Sequence, residues 1–288
     1  MHPLCLAARG GTRRPVPPGS ASVEATTPGV GDSSDRTIAA LRAQHDRLAG
    51  IVAGLSDDAL TGPSGASQWR LCDVLSHLDS GAEIRLRPLR AAAEGVEPPA
   101  ADNQAIWDRW NAASPRKQAT GFVEHDAELV GLLEGLDAAT RADLRVEVGR
   151  LPQPVPLETA AAMPLNEVAH HGWDVRVGLD PSATLDEAAA DVLLTLYAGP
   201  LAIMLGFTTK PDELSEPARV EAGAWVLVVD DGVRLEPAGG ETTATFTGAP
   251  EALARLITGR LGPQHTPAGT EVSGNVDLDD LRRVFAGY

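Results

Sequence analysis

The sequence predicts an α+β protein in which an N-terminal four-helix bundle is joined to a smaller C-terminal α+β domain, and three observations carry that reading. Apolar residues recur at three- and four-residue steps through four long segments ahead of Pro181. Beyond Asp180-Pro181 the pattern changes to short apolar runs separated by turn-forming Gly, Asp and Pro. With 288 residues, 43% of them hydrophobic, the chain can bury a sizeable core and divide into two domains. The expected divisions are a disordered tail over residues 1–35, the bundle over 36–181 and the α+β domain over 182–288.

The tail reading follows from a segment crowded with Pro, Gly, Ser and Thr, which buries too little to offset its ordering entropy. It also lacks the apolar block of roughly 7–15 residues that a signal peptide requires. From Asp35 onward, Ile38, Leu41, His45, Leu48, Val52 and Leu55 form one seam of a first helix. The second helix starts near Trp69 and buries Leu71, Val74, Leu75, Leu78, Ala82 and Leu89, with Pro88 placed to bend it late. A third helical region covers about Asn103 to Leu136 and is interrupted at Ser114-Pro115, because Pro removes a donor and disfavours helix in the residue before it. Leu165, Val168, Val175 and Leu179 mark the inward face of a fourth helix over about Leu157 to Leu179. Four such seams are buried most economically against one another, which is a bundle.

In the C-terminal part, Thr184 and Glu187 have capping-box spacing ahead of a helix reaching about Leu205. Trp225–Val229 and Val233–Leu235 flank Asp231-Gly232, a dipeptide suited to the positive-φ positions of a tight hairpin. Thr243–Thr247 and Glu271–Ser273 read as further strands, Pro250 opens a helix ending near Gly259, and Asp277–Phe285 forms the last one.

A formal net charge of −16 argues against nucleic acid or an anionic membrane surface as partner, since Lys and Arg would have to supply the attraction. A small molecule is the expected partner. Two cysteines, Cys5 and Cys72, give no disulfide framework and fit a reducing cytoplasm. No apolar run approaches the roughly 20 residues that cross a bilayer.

The chemistry is concentrated on helices two and four. Glu167 and His171 stand one helical turn apart, and Asp174 continues their row beside the apolar seam. His77 flanks the Val74 and Leu78 stripe of helix two and supplies a third donor across the interhelical gap. Two imidazoles and a carboxylate suit Zn or a neighbouring divalent metal and leave positions open for water or substrate. Without a metal, their polar atoms need other partners in a core of Leu, Val and Ala. Spacing alone does not separate His170 from His171, because bundle metal sites also use Glu and His three residues apart.

The segments Trp69-Arg70-Leu71-Cys72-Asp73-Val74-Leu75-Ser76-His77-Leu78 and Glu167-Val168-Ala169-His170-His171-Gly172-Trp173-Asp174 resemble the mycothiol-dependent maleylpyruvate isomerase family of actinobacteria, within the wider DinB-like metal-binding bundles. The resemblance implies a divalent metal, Zn above all, held by His77, Glu167 and His171, so that His171 is preferred over His170. It also implies a C-terminal domain related in shape to sterol-carrier proteins. Mycothiol would be the thiol cofactor, ionised on the metal and added to a small electrophile, giving either cis–trans isomerisation or S-transfer. A metal-stabilised binding module without catalysis is the alternative reading. The cofactor-binding and catalytic residues beyond the metal set are not assigned.

Other polar residues have plainer readings. His45 occupies a seam position and reads as a core histidine. Asp73 and Asp174 either orient ligand imidazoles or pair with nearby Arg. Arg85 and Arg87 either receive a substrate carboxylate or lie as solvated surface charge. Cys72 lies about 140° around the helix from His77 and is expected to stay out of the site. Trp107, Trp110 and Trp173 are expected at the bundle edges.

Overall fold

The computed structural model describes residues 30–287 apart from 99, 101, 150 and 152. Most of the segment read as a tail therefore lies outside the described residues. Its last part does not behave as a tail, because the first helix, α1, spans Val30–Ala53. Ser34 is buried, Ser33 donates to Glu158, and Arg141 pairs with Asp35, so tertiary contacts extend the helix beyond its apolar seam.

Three further long helices complete the bundle: α3 (Leu71–Glu94), α5 (Pro115–Gly135) and α7 (Leu157–Leu179). Short helices fill the connections, namely α2 (Asp57–Leu60), α4 (Asn103–Asn111) and α6 (Ala138–Asp143). Packing runs α1 to α7, α7 to α3, α3 to α5 and α5 back to α1, which closes a four-membered ring around the shared core. The break between α4 and α5 falls at Ser114-Pro115, where the Ser114 hydroxyl accepts from the Lys117 amide at 3.3 Å and Pro115 takes the first helical position. The α3 helix runs on through Pro88 to a left-handed cap at Gly95, φ 67°. A two-stranded ribbon, β1 (Arg145–Val146) with β2 (Val155–Pro156), links α6 to α7 and carries no alternating pattern long enough to show in the sequence.

The C-terminal region carries the small sheet domain. Its first helix, α8 (Glu187–Tyr197), is capped by Asp186, whose carboxylate accepts from the Ala189 amide at 3.1 Å. Thr184 is therefore not the cap, and the helix expected to reach Leu205 breaks at Gly199-Pro200 before resuming as α9 (Ala202–Thr208). Five strands follow: β3 (Ala218–Ala222), β4 (Trp225–Val229), β5 (Val233–Pro237), β6 (Ala244–Thr247) and β7 (Glu271–Gly274), in sheet order β5-β4-β3-β6-β7. The β4–β5 hairpin forms as expected, but Gly232 is not among the positive-φ glycines, so a tight positive-φ turn is replaced by a wider loop in which Asp230 Oδ1 accepts from the Gly232 amide at 3.3 Å. β3 is a strand that the sequence reading did not anticipate, and it pairs in parallel with β6, making the sheet mixed. Helices α10 (Pro250–Ile257) and α11 (Leu278–Val284) complete the region, α10 packing against α8 and α11 against β7.

A buried ion pair within α10 meets the bundle at Trp173. Arg255 donates to both carboxylate oxygens of Glu251, at 2.8 and 2.9 Å, and its guanidinium lies 5.2 Å from the Trp173 ring centre. Trp173 is thus not at a bundle edge but 1% exposed between α7 and the C-terminal region, with its indole N–H donating to the Ala183 carbonyl at 2.8 Å.

Candidate metal centre

Two antiparallel helices and one loop build the site. The α3 helix starts where Arg70 donates from its backbone and its guanidinium to the Asp73 carboxylate, at 2.8 to 2.9 Å. That engagement makes Asp73 a cap for the helix rather than an orienting partner for His77. One turn further on, His77 projects toward α7. There its Nε2 lies 2.8 Å from Glu167 Oε2, and His171 Nε2 lies 3.7 Å from the same oxygen. One donor atom from each of His77, Glu167 and His171 lies within 4.8 Å of the other two.

Each donor is held in place by its surroundings. His171 is buried, and its Nδ1 donates to Asp174 Oδ2 at 2.9 Å, which leaves the Nε2 lone pair facing Glu167. Asp174 in turn accepts from Arg260 Nη2 at 2.8 Å and Nε at 3.1 Å, so the row Arg260–Asp174–His171 runs from the C-terminal domain into the site. Burial drives the His171 imidazole toward its neutral form despite that hydrogen bond, and the positive charge of His77 and Arg260 adds to the effect. Burial works against the Glu167 carboxylate too, but the hydrogen bond and charge of His77, with the charges of Arg85 and His171, prevail and hold it well below the usual carboxylate range. Asp174 resists burial in the same way through Arg260 and His171.

The loop between α2 and α3 supplies a cover. The Gly65 amide donates to the Asp174 carbonyl at 2.7 Å, and a Cβ on Gly65 would stand 2.5 Å from Val177. Gly178 lets the same loop approach from the other side, since a Cβ there would collide with the Pro63 carbonyl. This close approach to α7 places Trp69 over both imidazoles, with ring centres 5.2 Å from His77 and 5.8 Å from His171. Sequence reasoning gave Trp69 no role. Its signal was its place at the start of the second helix, eight residues ahead of a candidate ligand.

Residues 41–176 match the family model for the mycothiol maleylpyruvate isomerase N-terminal domain. The bundle belongs to that family. Two proteins of Mycobacterium tuberculosis, uncharacterized protein Rv0738 of strain H37Rv and uncharacterized protein MT0763 of strain CDC 1551, are each 28% identical to this chain over 156 residues, which is 54% of this chain and 74% of theirs. The crystal structure of the mycothiol-dependent maleylpyruvate isomerase superposes with a TM-score of 0.59 at 14% identity, covering 83% of this chain and 92% of that one. A histidine-to-alanine mutant of that enzyme superposes equally well. At such identity the likeness establishes the fold, and it takes in more of the chain than the bundle alone.

Within this mycothiol maleylpyruvate isomerase-type bundle, the remaining candidates separate cleanly. His170 turns away from Glu167, with Nε2 2.9 Å from the Tyr197 hydroxyl and Nδ1 3.3 Å from Thr258 Oγ1, and burial holds its imidazole neutral. His45 is a core histidine, paired with buried Asp126 at 2.7 Å. Arg87 pairs with Glu83 at 3.3 Å. Cys72 is buried away from the site. No single described helix is long and apolar enough to cross a membrane.

Proposed function

We propose that this chain is a divalent-metal enzyme that uses mycothiol to attack a small electrophilic substrate, with His77, Glu167 and His171 as the metal ligands. The observation that carries the reading is the convergence of two imidazoles and one carboxylate from helices 90 residues apart in sequence. The donor set fits the group: Glu167 is ionised, His171 is neutral with its lone pair turned inward, and two nitrogens with one oxygen match Zn while leaving a coordination position open. A divalent ion neutralised by a single carboxylate keeps positive charge, and that charge favours the ionised form of a thiol sulfur at neutral pH.

The protein's own residues do the rest. Asp174 fixes the His171 tautomer, and Arg260 fixes Asp174, so the C-terminal domain reaches the centre through two hydrogen-bonded steps. Trp69 covers the imidazoles and limits water on that side. Thiol addition to an electrophile covers both cis–trans isomerisation and S-transfer, and a reducing cytoplasm suits a low-molecular-weight thiol. The test is metal analysis of the purified protein, followed by mycothiol-dependent consumption of maleylpyruvate and of thiol-reactive electrophiles. One metal per chain and turnover lost on chelation support the reading; full turnover after the metal is stripped ends it.

A further inference from the structure

Asn166 and His170 stand one turn apart on α7, in a row about 100° around the helix from Glu167 and His171. That row carries a buried hydrogen-bond chain with a fixed direction. The Tyr197 hydroxyl donates to Asn166 Oδ1, so the His170 nitrogen that faces it, Nε2 at 2.9 Å, must carry the ring proton. Nδ1 is then the acceptor, 3.3 Å from the Thr258 hydroxyl, and burial keeps the ring neutral as this arrangement requires. The donors run one way, from Thr258 through His170 and Tyr197 to Asn166. The run ends on the Asn166 side-chain NH2, which has no hydrogen-bond partner among the described residues although Asn166 is only 5% exposed. A donor so deeply buried is costly until an acceptor reaches it.

Asn166 lines a small cleft between α7, α8, α9 and the end of α10. Met204, Leu205 and Ile257 form its apolar walls, and no charged residue is among the described residues lining it. The space opens to the surface and, at about 10 Å³, admits one water-sized group. An oxygen atom fits there, and the rest of a ligand has to lie at the mouth. The α9 helix offers a shelf for it: Met204 is half-buried at the mouth, and Phe207 and Ile203, 55% and 46% exposed, follow about 60–100° around the helix. The donor calls for an acceptor oxygen. A carboxylate would find no countercharge in the cleft, and an ammonium has no lone pair to offer.

We infer that the cleft beneath α9 is a second ligand site, taking a neutral carbonyl compound whose oxygen accepts from the Asn166 amide and whose hydrocarbon chain lies along Met204 and Phe207. The site is separate from the metal centre, and its occupancy does not depend on the function proposed above.

Asparagine occurs only as Asn103, Asn111, Asn166 and Asn275, so selective isotopic labelling of asparagine reduces the side-chain NH2 signals of the full chain to four pairs, and Asn166→Ala identifies the pair that matters. The probes are butyl methyl ketone, acetone, hexanoate and hexylammonium, added to metal-loaded and to chelator-treated protein. Butyl methyl ketone is expected to shift the Asn166 pair saturably, with or without metal, and to bind at least roughly tenfold more tightly than acetone through partial burial of its chain. Hexanoate and hexylammonium leave the pair in place. Met204→Trp, which narrows the mouth and keeps the donor, should weaken butyl methyl ketone at least roughly tenfold, and Phe207→Ser should narrow the gap between the two ketones. Circular dichroism confirms that each variant is folded. The absence of a saturable shift, an equal shift with hexylammonium, unchanged affinity in Met204→Trp, or loss of ketone binding on chelation each overturns the inference. A protein that takes up no metal but still binds the ketone at Asn166 overturns the proposed function and leaves this site standing.

Discussion

Replacing Asp174 by Asn tests how the C-terminal domain supports the centre. The Asp174 side chain is 2% exposed and that of Arg260 11%, so their pair is close to a buried one. Asn keeps the shape and one acceptor but removes the charge opposite the guanidinium, which also donates to the Thr258 carbonyl at 3.2 Å. Breaking a buried pair from one side costs about 3–5 kcal/mol, and the retained acceptor argues for the low end, about 3 kcal/mol. The same change loosens the 2.9 Å bond that orients His171, and loss of such a partner lowers metal affinity by roughly 10–100-fold. Urea unfolding in chelator reads the first effect, and competition with a colorimetric Zn chelator reads the second. Arg260→Gln is the comparison: it breaks the same pair and costs similar stability, yet leaves Asp174 on His171 and should lower the metal affinity by less than Asp174→Asn does. Zn affinity in Asp174→Asn within twofold of wild type would refute the orienting role and reduce Asp174 to a latch between domains.

Zn at 100 times its dissociation constant should stabilise the protein by about 2.7 kcal/mol, and Glu167→Gln or His77→Ala should abolish that gain in thermal melts. Gly121→Ala should destabilise by about 2 kcal/mol in urea, because the new Cβ would stand 2.7 Å from Trp110 and would collide with Asp79, both well packed. The Asp79–His125 pair, 2.7 Å apart, makes stability fall as pH rises above neutrality. The hydrogen bond from His125 to Asp79 raises the imidazole above its ordinary value, so its contribution is complete below the unfolded value of about 6.5 and lost as pH climbs through the higher folded value. Burial raises Asp79 in the same direction at lower pH, and His125→Gln should flatten the dependence above pH 6.5 or so.

The parts of the fold legible in the sequence are those where one physical requirement dominates. Seams such as Leu71, Val74, Leu75 and Leu78 have to be buried together, and they are. Ser114-Pro115 and Asp277 act through local backbone chemistry and fall where expected, with Asp277 capping α11. The misreadings came from choices that tertiary contacts settle. Thr184 and Asp186 are both competent caps, and Asp186 prevails; it also carries an ion pair to Arg47 of α1. β3, with its alternating Ala218, Val220 and Ala222, contains small and charged residues that only become a strand between β4 and β6. Asp35 looked like the end of a polar tail because its partner, Arg141, lies more than a hundred residues away.

The candidate centre divides along the same line. Periodicity put Glu167 and His171 on one face, but it gave His170 nearly equal standing, since adjacent residues on a helix differ by only about 100°. What separates them is the far side of α7, where Tyr197 and Thr258 occupy both nitrogens of His170 and leave it nothing to offer an ion. Those partners come from α8 and from the residue just after α10, as Arg260 does shortly beyond it. The C-terminal domain thus acts on both histidines at once, engaging one and orienting the other. A bundle cut at residue 181 would keep all three candidate ligands yet lose the contacts that distinguish them. Its metal affinity should therefore fall even if its helices still pack.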